Sequence, residues 1–103
     1  NFTIAFNYGG RAEIVDAVKK IVENKSLKIN EDLISQYLYC SEMPDVDLVF
    51  RTSGEQRTSN FMMWQSAYAE LIFTDTLWPD IRREDLFDAI IDFQNKSRRF
   101  GAL

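Results

Sequence analysis

The residue types best suited to chemistry concentrate in one polar stretch, Arg51-Thr52-Ser53-Gly54-Glu55-Gln56-Arg57-Thr58-Ser59-Asn60, with two arginines, four hydroxyl side chains and one glycine. A guanidinium presents a planar fork of donors that matches phosphate oxygens. A serine at a helix start adds a hydroxyl beside backbone amides that point the same way. Arg51, Arg57 and Ser59 together therefore suit a diphosphate. Residue type alone leaves the plainer reading open, since two arginines in a polar loop are commonly solvated or ion-paired. The stretch lacks G-x-x-x-x-G-K-[ST], so it is not a nucleotide-binding P-loop.

Five further groups bear on this reading. Glu70, between Ala69 and Leu71 at a strand edge, either faces solvent or serves Mg²⁺, a cation that takes one or two carboxylates together with phosphate oxygens and waters. Glu55 lies within the polar stretch, where it could orient either arginine. The glycines of Asn7-Tyr8-Gly9-Gly10-Arg11 are expected simply to turn the chain into a helix. Met62, Met63, Trp64, Tyr68, Phe73 and Trp78 are core residues or the lining of an apolar cleft for a hydrocarbon chain. Arg98 and Arg99, followed by Phe100 and Gly101, read as ordinary dipole complements and a helix stop.

Composition removes other chemistries. The 103 residues contain no histidine, which excludes Ser-His triads and histidine-ligated zinc. The single cysteine, Cys40, cannot close an intrachain disulfide and suits a reducing, cytoplasmic compartment. A net charge of −4 provides no overall basic field for nucleic acid or anionic membranes, so any anion site must be local. No apolar run approaches the ~18 residues of a membrane-spanning helix.

The elements that must hold these groups follow from periodicity. Phe2, Ile4 and Phe6 alternate with Thr3, Ala5 and Asn7, the pattern of a strand, and the chain opens on it without an initiator Met, as a domain entered part-way would. Ile14, Ala17, Val18, Ile21 and Val22 predict a helix over about 11–24 with one apolar stripe. Asn30 is placed to cap a second helix over about 31–39, with Glu31 and Asp32 in its first turn and Leu33, Ile34, Tyr37 and Leu38 inward. Val46-Asp47-Leu48-Val49-Phe50 reads as a buried parallel strand that delivers Arg51 and its loop.

After the loop, residues 61–68 predict a short buried helix capped by Ser59 or Asn60, and residues 70–74 another strand. Trp78-Pro79-Asp80 is a turn. Residues 81 to about 98 form the last helix, with Leu86, Phe87, Ile90, Ile91 and Phe93 inward. This alternation is that of an α/β fold with a mostly parallel sheet flanked by helices. Three strands are few for such a sheet.

Taken in order, Asn7-Tyr8-Gly9-Gly10-Arg11, Asp47-Leu48-Val49-Phe50-Arg51-Thr52-Ser53-Gly54-Glu55, Arg57-Thr58-Ser59-Asn60-Phe61, Trp64-Gln65, Tyr68-Ala69-Glu70, Trp78-Pro79-Asp80 and Arg98-Arg99-Phe100-Gly101 resemble the cis-prenyltransferases, the undecaprenyl diphosphate synthase type of enzyme. The resemblance runs through the whole chain. It implies an undecaprenyl diphosphate synthase-like α/β fold and homodimeric, Mg²⁺-dependent enzymes. These add isopentenyl diphosphate to an allylic diphosphate such as farnesyl diphosphate and make polyprenyl diphosphates with cis double bonds. Membrane contact is then at most peripheral, through the lipid product.

Position by position, the resemblance assigns Arg51, Arg57 and Ser59 to the isopentenyl diphosphate, with Thr58 contributing backbone between them. It assigns Glu70 to the metal and Glu55 to support of the site. Arg98, Arg99 and Gly101 match a C-terminal R-x-G region that reaches toward the partner subunit's diphosphate site. The family's Asp-Gly-Asn-x-Arg segment, whose aspartate holds Mg²⁺, and its Asn-x-x-Arg segment are absent from these residues. The expectation is therefore that residues 1–103 form the C-terminal portion of a single cis-prenyltransferase domain, hold no catalytic residue of their own and do not catalyse the condensation alone. A non-catalytic partner subunit of the same fold is the alternative; the intact Arg51, Arg57, Ser59 and Glu70 count against it.

Overall fold

The first helix starts at the glycine pair. Gly9 is extended, its carbonyl accepts from the Glu13 amide at 3.0 Å, and α1 runs from Gly10 to Glu23. Asn24 ends it, with backbone and side-chain amides both turned to the Lys20 carbonyl, and Lys25 then adopts a left-handed conformation. The second helix, α2 (Glu31–Tyr37), is capped as expected: the Asn30 side-chain oxygen accepts from the Leu33 amide at 2.9 Å. Leu38, just past its end, is buried.

These are the findings of a computed structural model, which describes residues 1–25 and 28–96. The chain divides into two units, Asn1–Pro44 with Thr58–Trp64, and Asp45–Arg57 with Gln65–Leu103. The first is built on α1 and α2. The second is built on a parallel pair of strands, β1 (Leu48–Arg51) and β2 (Glu70–Phe73), in the register Leu48↔Glu70 to Arg51↔Phe73. A single 3₁₀ turn at Trp78–Asp80 and a third helix, α3 (Arg83–Gln94), complete it. The Arg82 amide donates to the Asp85 carboxylate at 2.7 Å at the start of α3, and α3 packs on β2 with Ala89 buried.

The fold is thus α/β, with a small parallel sheet and helices, as the alternation predicts. Four expectations need correction. Residues 2–6 form no strand: no described residue provides a ladder partner, and Phe2 and Phe6 are 90% and 92% exposed. The buried stripe of α1 is Gly10, Glu13, Ala17 and Ile21, so Val18 and Val22 face out.

Residues 61–68 form bends and turns rather than a helix: Met62, within the segment, has positive φ, a conformation a right-handed helix cannot pass through, and Ser59 and Asn60 just before it are left-handed too. Finally, α3 starts at Arg83, and Leu86, Phe87, Ile90 and Ile91 remain exposed around it. The late arginines expected to close this helix lie outside the described residues.

Candidate functional site

In the second unit, the parallel register puts Arg51 at the carboxyl end of β1, where open α/β sheets offer their ligand crevices. The loop that follows is laid along the segment after β2: Ser53 donates to the Thr76 carbonyl and Gly54 to the Thr74 carbonyl, both at 2.9 Å. Ser53 and Gly54 are consecutive left-handed residues, and a Cβ on Gly54 would stand 3.2 Å from the Asp75 carboxylate. This turn folds the loop back on itself. The Arg51 guanidinium then donates to the Arg57 carbonyl at 2.5 Å, and the Arg57 guanidinium pairs with Glu55 at 2.6 Å.

Arg51, Glu55 and Arg57 are therefore one connected group, with Arg51 half-buried and Arg57 exposed. Glu55 orients an arginine, and that arginine is Arg57. Two guanidinium groups on one short loop, one of them paired with Glu55, gather donors of the kind that suit phosphate oxygens on a chain of net charge −4.

Glu70 is not beside them. It begins β2 opposite Leu48, three register positions from the Arg51–Phe73 pair, roughly 10 Å along the strands. Its carboxylate is half-buried and has no hydrogen-bond or ion-pair partner among the described residues. Those residues contain no cluster of three or more metal-ligating side chains. A half-buried carboxylate without a partner fits the single protein ligand that Mg²⁺ accepts when phosphate oxygens and waters fill its remaining positions.

The first unit holds Thr58 and Ser59. The Thr58 carbonyl accepts from the Phe61 amide at 3.1 Å, and Ser59 stands in left-handed conformation in the resulting turn. Ser59 does not start a helix, so the amides expected to accompany its hydroxyl are not arranged that way. Of the two helix starts in this unit, Asn30 caps that of α2 and Asn60 occupies that of α1. The Asn60 carbonyl accepts from the Gly10 amide at 2.7 Å and its side-chain oxygen accepts from the Arg11 amide at 2.9 Å. Asn60 thus caps a helix, though one that begins 50 residues earlier in the chain.

Sequence reasoning also misses Glu13. This carboxylate is 2% exposed. One oxygen accepts from the Tyr8 hydroxyl and the other from the Tyr39 amide at 3.0 Å, while the Tyr39 hydroxyl donates to Asp16 at 2.5 Å. The Tyr8 ring packs edge-on against Tyr39 and Phe61, with centroids 6.2 and 5.5 Å away. Burial first, then the hydrogen bond and charge of Glu13, push the Tyr8 hydroxyl well above its ordinary pKa. Tyr39 is raised too, chiefly by its bond to Asp16. The available signal was positional: Glu13 stands four residues before Ala17 and eight before Ile21, in line with the buried face of α1.

The undecaprenyl diphosphate synthase family model, a prenyltransferase family, matches residues 1–101. The chain belongs to that family. It is 54% identical over 101 residues to isoprenyl transferase 1 of Streptomyces coelicolor, a match that takes in 92% of this chain and 36% of that protein. Among solved structures, a probable undecaprenyl diphosphate synthase from Campylobacter jejuni is similar with a TM-score of 0.84 and 40% identity, over 94% of this chain and 45% of that one. Lavandulyl diphosphate synthase from Lavandula x intermedia, solved with dimethylallyl diphosphate, also gives 0.84 and 40%, over 91% of this chain and 43% of that one. The chain thus spans less than half the length of these relatives. Arg98, Arg99 and Gly101 lie outside the described residues, and no described helix is long and apolar enough to cross a membrane.

Proposed function

We propose that these residues carry the isopentenyl diphosphate half-site of a cis-prenyltransferase. The full-length enzyme condenses isopentenyl diphosphate with an allylic diphosphate such as farnesyl diphosphate and builds a long-chain cis-polyprenyl diphosphate. The carrying observation is the linked Arg51–Glu55–Arg57 loop at the carboxyl end of a parallel strand, in a chain of this family. The relative solved with dimethylallyl diphosphate supports a prenyl diphosphate as the ligand class.

In this reading Arg51 and Arg57 bind the diphosphate through charge-assisted hydrogen bonds, with Thr58 contributing backbone and Ser59 its hydroxyl. Glu55 holds Arg57 in place. Their common task is orientation: a diphosphate held by two planar forks sets its alkene at a defined place for attack on the allylic carbon. In that step a carbon–carbon bond forms, the allylic carbon–oxygen bond breaks, diphosphate departs with the bonding pair, and a proton is lost as the new double bond forms. Mg²⁺, with Glu70 as a protein ligand, would neutralise charge on a diphosphate.

Residues 1–103 are proposed as the C-terminal portion of one such domain, inactive alone. Arg98, Arg99 and Gly101 are assigned to the neighbouring subunit's site in a homodimer that works in the cytoplasm.

Incorporation of labelled isopentenyl diphosphate by the full-length protein tests this. Arg57→Ala should lower kcat/KM for isopentenyl diphosphate about 100-fold, the scale of one lost charged hydrogen-bonding group. Unchanged turnover in that variant would remove the site assignment.

A further inference from the structure

The same loop contains a residue with no assigned task, and its geometry is specific. Asn60 follows Ser59 directly, and both of its oxygens are spent on α1: main-chain carbonyl to the Gly10 amide at 2.7 Å, side-chain oxygen to the Arg11 amide at 2.9 Å. A helix leaves its first amides without internal partners, and these two find theirs in a single asparagine. The approach is close. A Cβ on Gly9 would stand 3.1 Å from the Asn60 side-chain nitrogen, and a Cβ on Gly10 would stand 3.1 Å from the Asn60 carbonyl oxygen and 3.2 Å from Met63 Cγ.

Neither glycine has positive φ, so neither is required for a left-handed turn. Space is what they provide. Asn60 itself is left-handed at φ 64°, which asparagine tolerates better than most residues, and Ser59 beside it is at φ 50°.

We infer that Asn60 is a positioning residue for substrate: seated on the start of α1 through a gap that Gly9 and Gly10 leave open, it fixes where Thr58 and Ser59 present themselves to the isopentenyl diphosphate. This rests on the half-site reading above. It also accounts for the tyrosine–glycine–glycine–arginine segment, which seats the residue next to Ser59. The α1 amides of Gly10 and Arg11 are thus bonded within the protein.

The test uses the full-length enzyme with three variants, Asn60→Ala, Gly10→Ala and the two combined, beside Arg57→Ala. Alanine favours a helix more than glycine does, so Gly10→Ala should preserve α1 while its new methyl group displaces the Asn60 loop. Each single variant should raise KM and the calorimetric Kd for isopentenyl diphosphate about tenfold and leave KM for the allylic diphosphate within about threefold. The double variant should be no worse than either single one, since both break the same contact.

Equal losses for the two substrates, with a lower thermal midpoint, would show a merely structural asparagine and overturn the inference. So would undisturbed isopentenyl diphosphate binding in Asn60→Ala while Arg57→Ala binds weakly. If Arg57→Ala also binds normally, the half-site reading itself fails and this inference falls with it.

Discussion

A carboxylate buried to 2% exposure persists only where its oxygens are bonded, and Glu13 meets that condition with donors from two directions. Removing it strands the Tyr8 hydroxyl and the Tyr39 amide together. Glu13→Ala should therefore cost about 2 kcal/mol in denaturant unfolding, within the range for buried donors left without partners. Its tyrosine partner adds a pH signature with a definite sign. The Tyr8 hydroxyl is raised in the folded state above the value near 10 of an unfolded tyrosine. The folded state then holds this proton more tightly, so the associated stability is fully present below about pH 10 and is lost as pH rises through the folded pKa. Tyr8→Phe should flatten that alkaline decline. Glu13→Gln, which removes the carboxylate charge, should bring Tyr8 ionisation to lower pH in an ultraviolet titration, with Tyr8→Phe identifying the band. Identical titration curves with and without the Glu13 charge would contradict the coupling.

At the scale of elements, what decides is whether a helix or strand draws on its own neighbours or on distant ones. The second helix, of seven residues, is capped locally, Asn30 to Leu33, and has no buried residue within its own span. Asn30→Ala should accordingly destabilise by about 1 kcal/mol. The loss should appear as early amide exchange in residues 31–37, and even protection across that stretch would show that packing rather than the cap holds it. Locally determined features of this kind were legible in the sequence: the two N-terminal helices, both parallel strands and the two arginines on a strand-end loop all follow from spacing and residue type. Features set at a distance were not. Residues 61–68 have the apolar density of a helix, but three left-handed residues at 59, 60 and 62 divert the chain, and hydropathy does not report φ. Asn60 reads as a cap in either case. Its partner amides lie 49 and 50 residues away, beyond any periodicity, so the sequence shows that it caps but not what it caps. The run at residues 2–6 alternates like a strand, but alternation specifies a face and never supplies the neighbouring strand.

For the molecule as a whole, the same question of missing neighbours applies to its apolar surface. Among the described residues the buried apolar side chains are Ala17, Ile21, Leu38 and Ala89, and two of these are alanines with little area to bury. Phe2, Ile4, Phe6, Leu86, Phe87 and Ile91 meanwhile remain exposed. Each large side chain left in water forgoes about 1.5–3 kcal/mol of burial, and net stabilities of whole domains are only about 5–15 kcal/mol. Exposed aromatic and branched residues in this number are the signature of surface that another segment or chain covers. The relatives are more than twice as long as the part of them matched here, so ample chain exists in them to supply such cover. A polypeptide of these residues alone should bind a hydrophobic dye and self-associate in sedimentation, and should form no polyprenyl product from labelled isopentenyl diphosphate and farnesyl diphosphate. The full-length protein should show little dye binding and should make product. Charge gives the control, because raising salt should strengthen self-association driven by apolar contact, whereas association through ion pairs on a chain of net charge −4 should weaken. A monomeric, dye-silent polypeptide, or one that condenses the two diphosphates unaided, would mean that the exposed residues need no cover and that the half-site is a whole one.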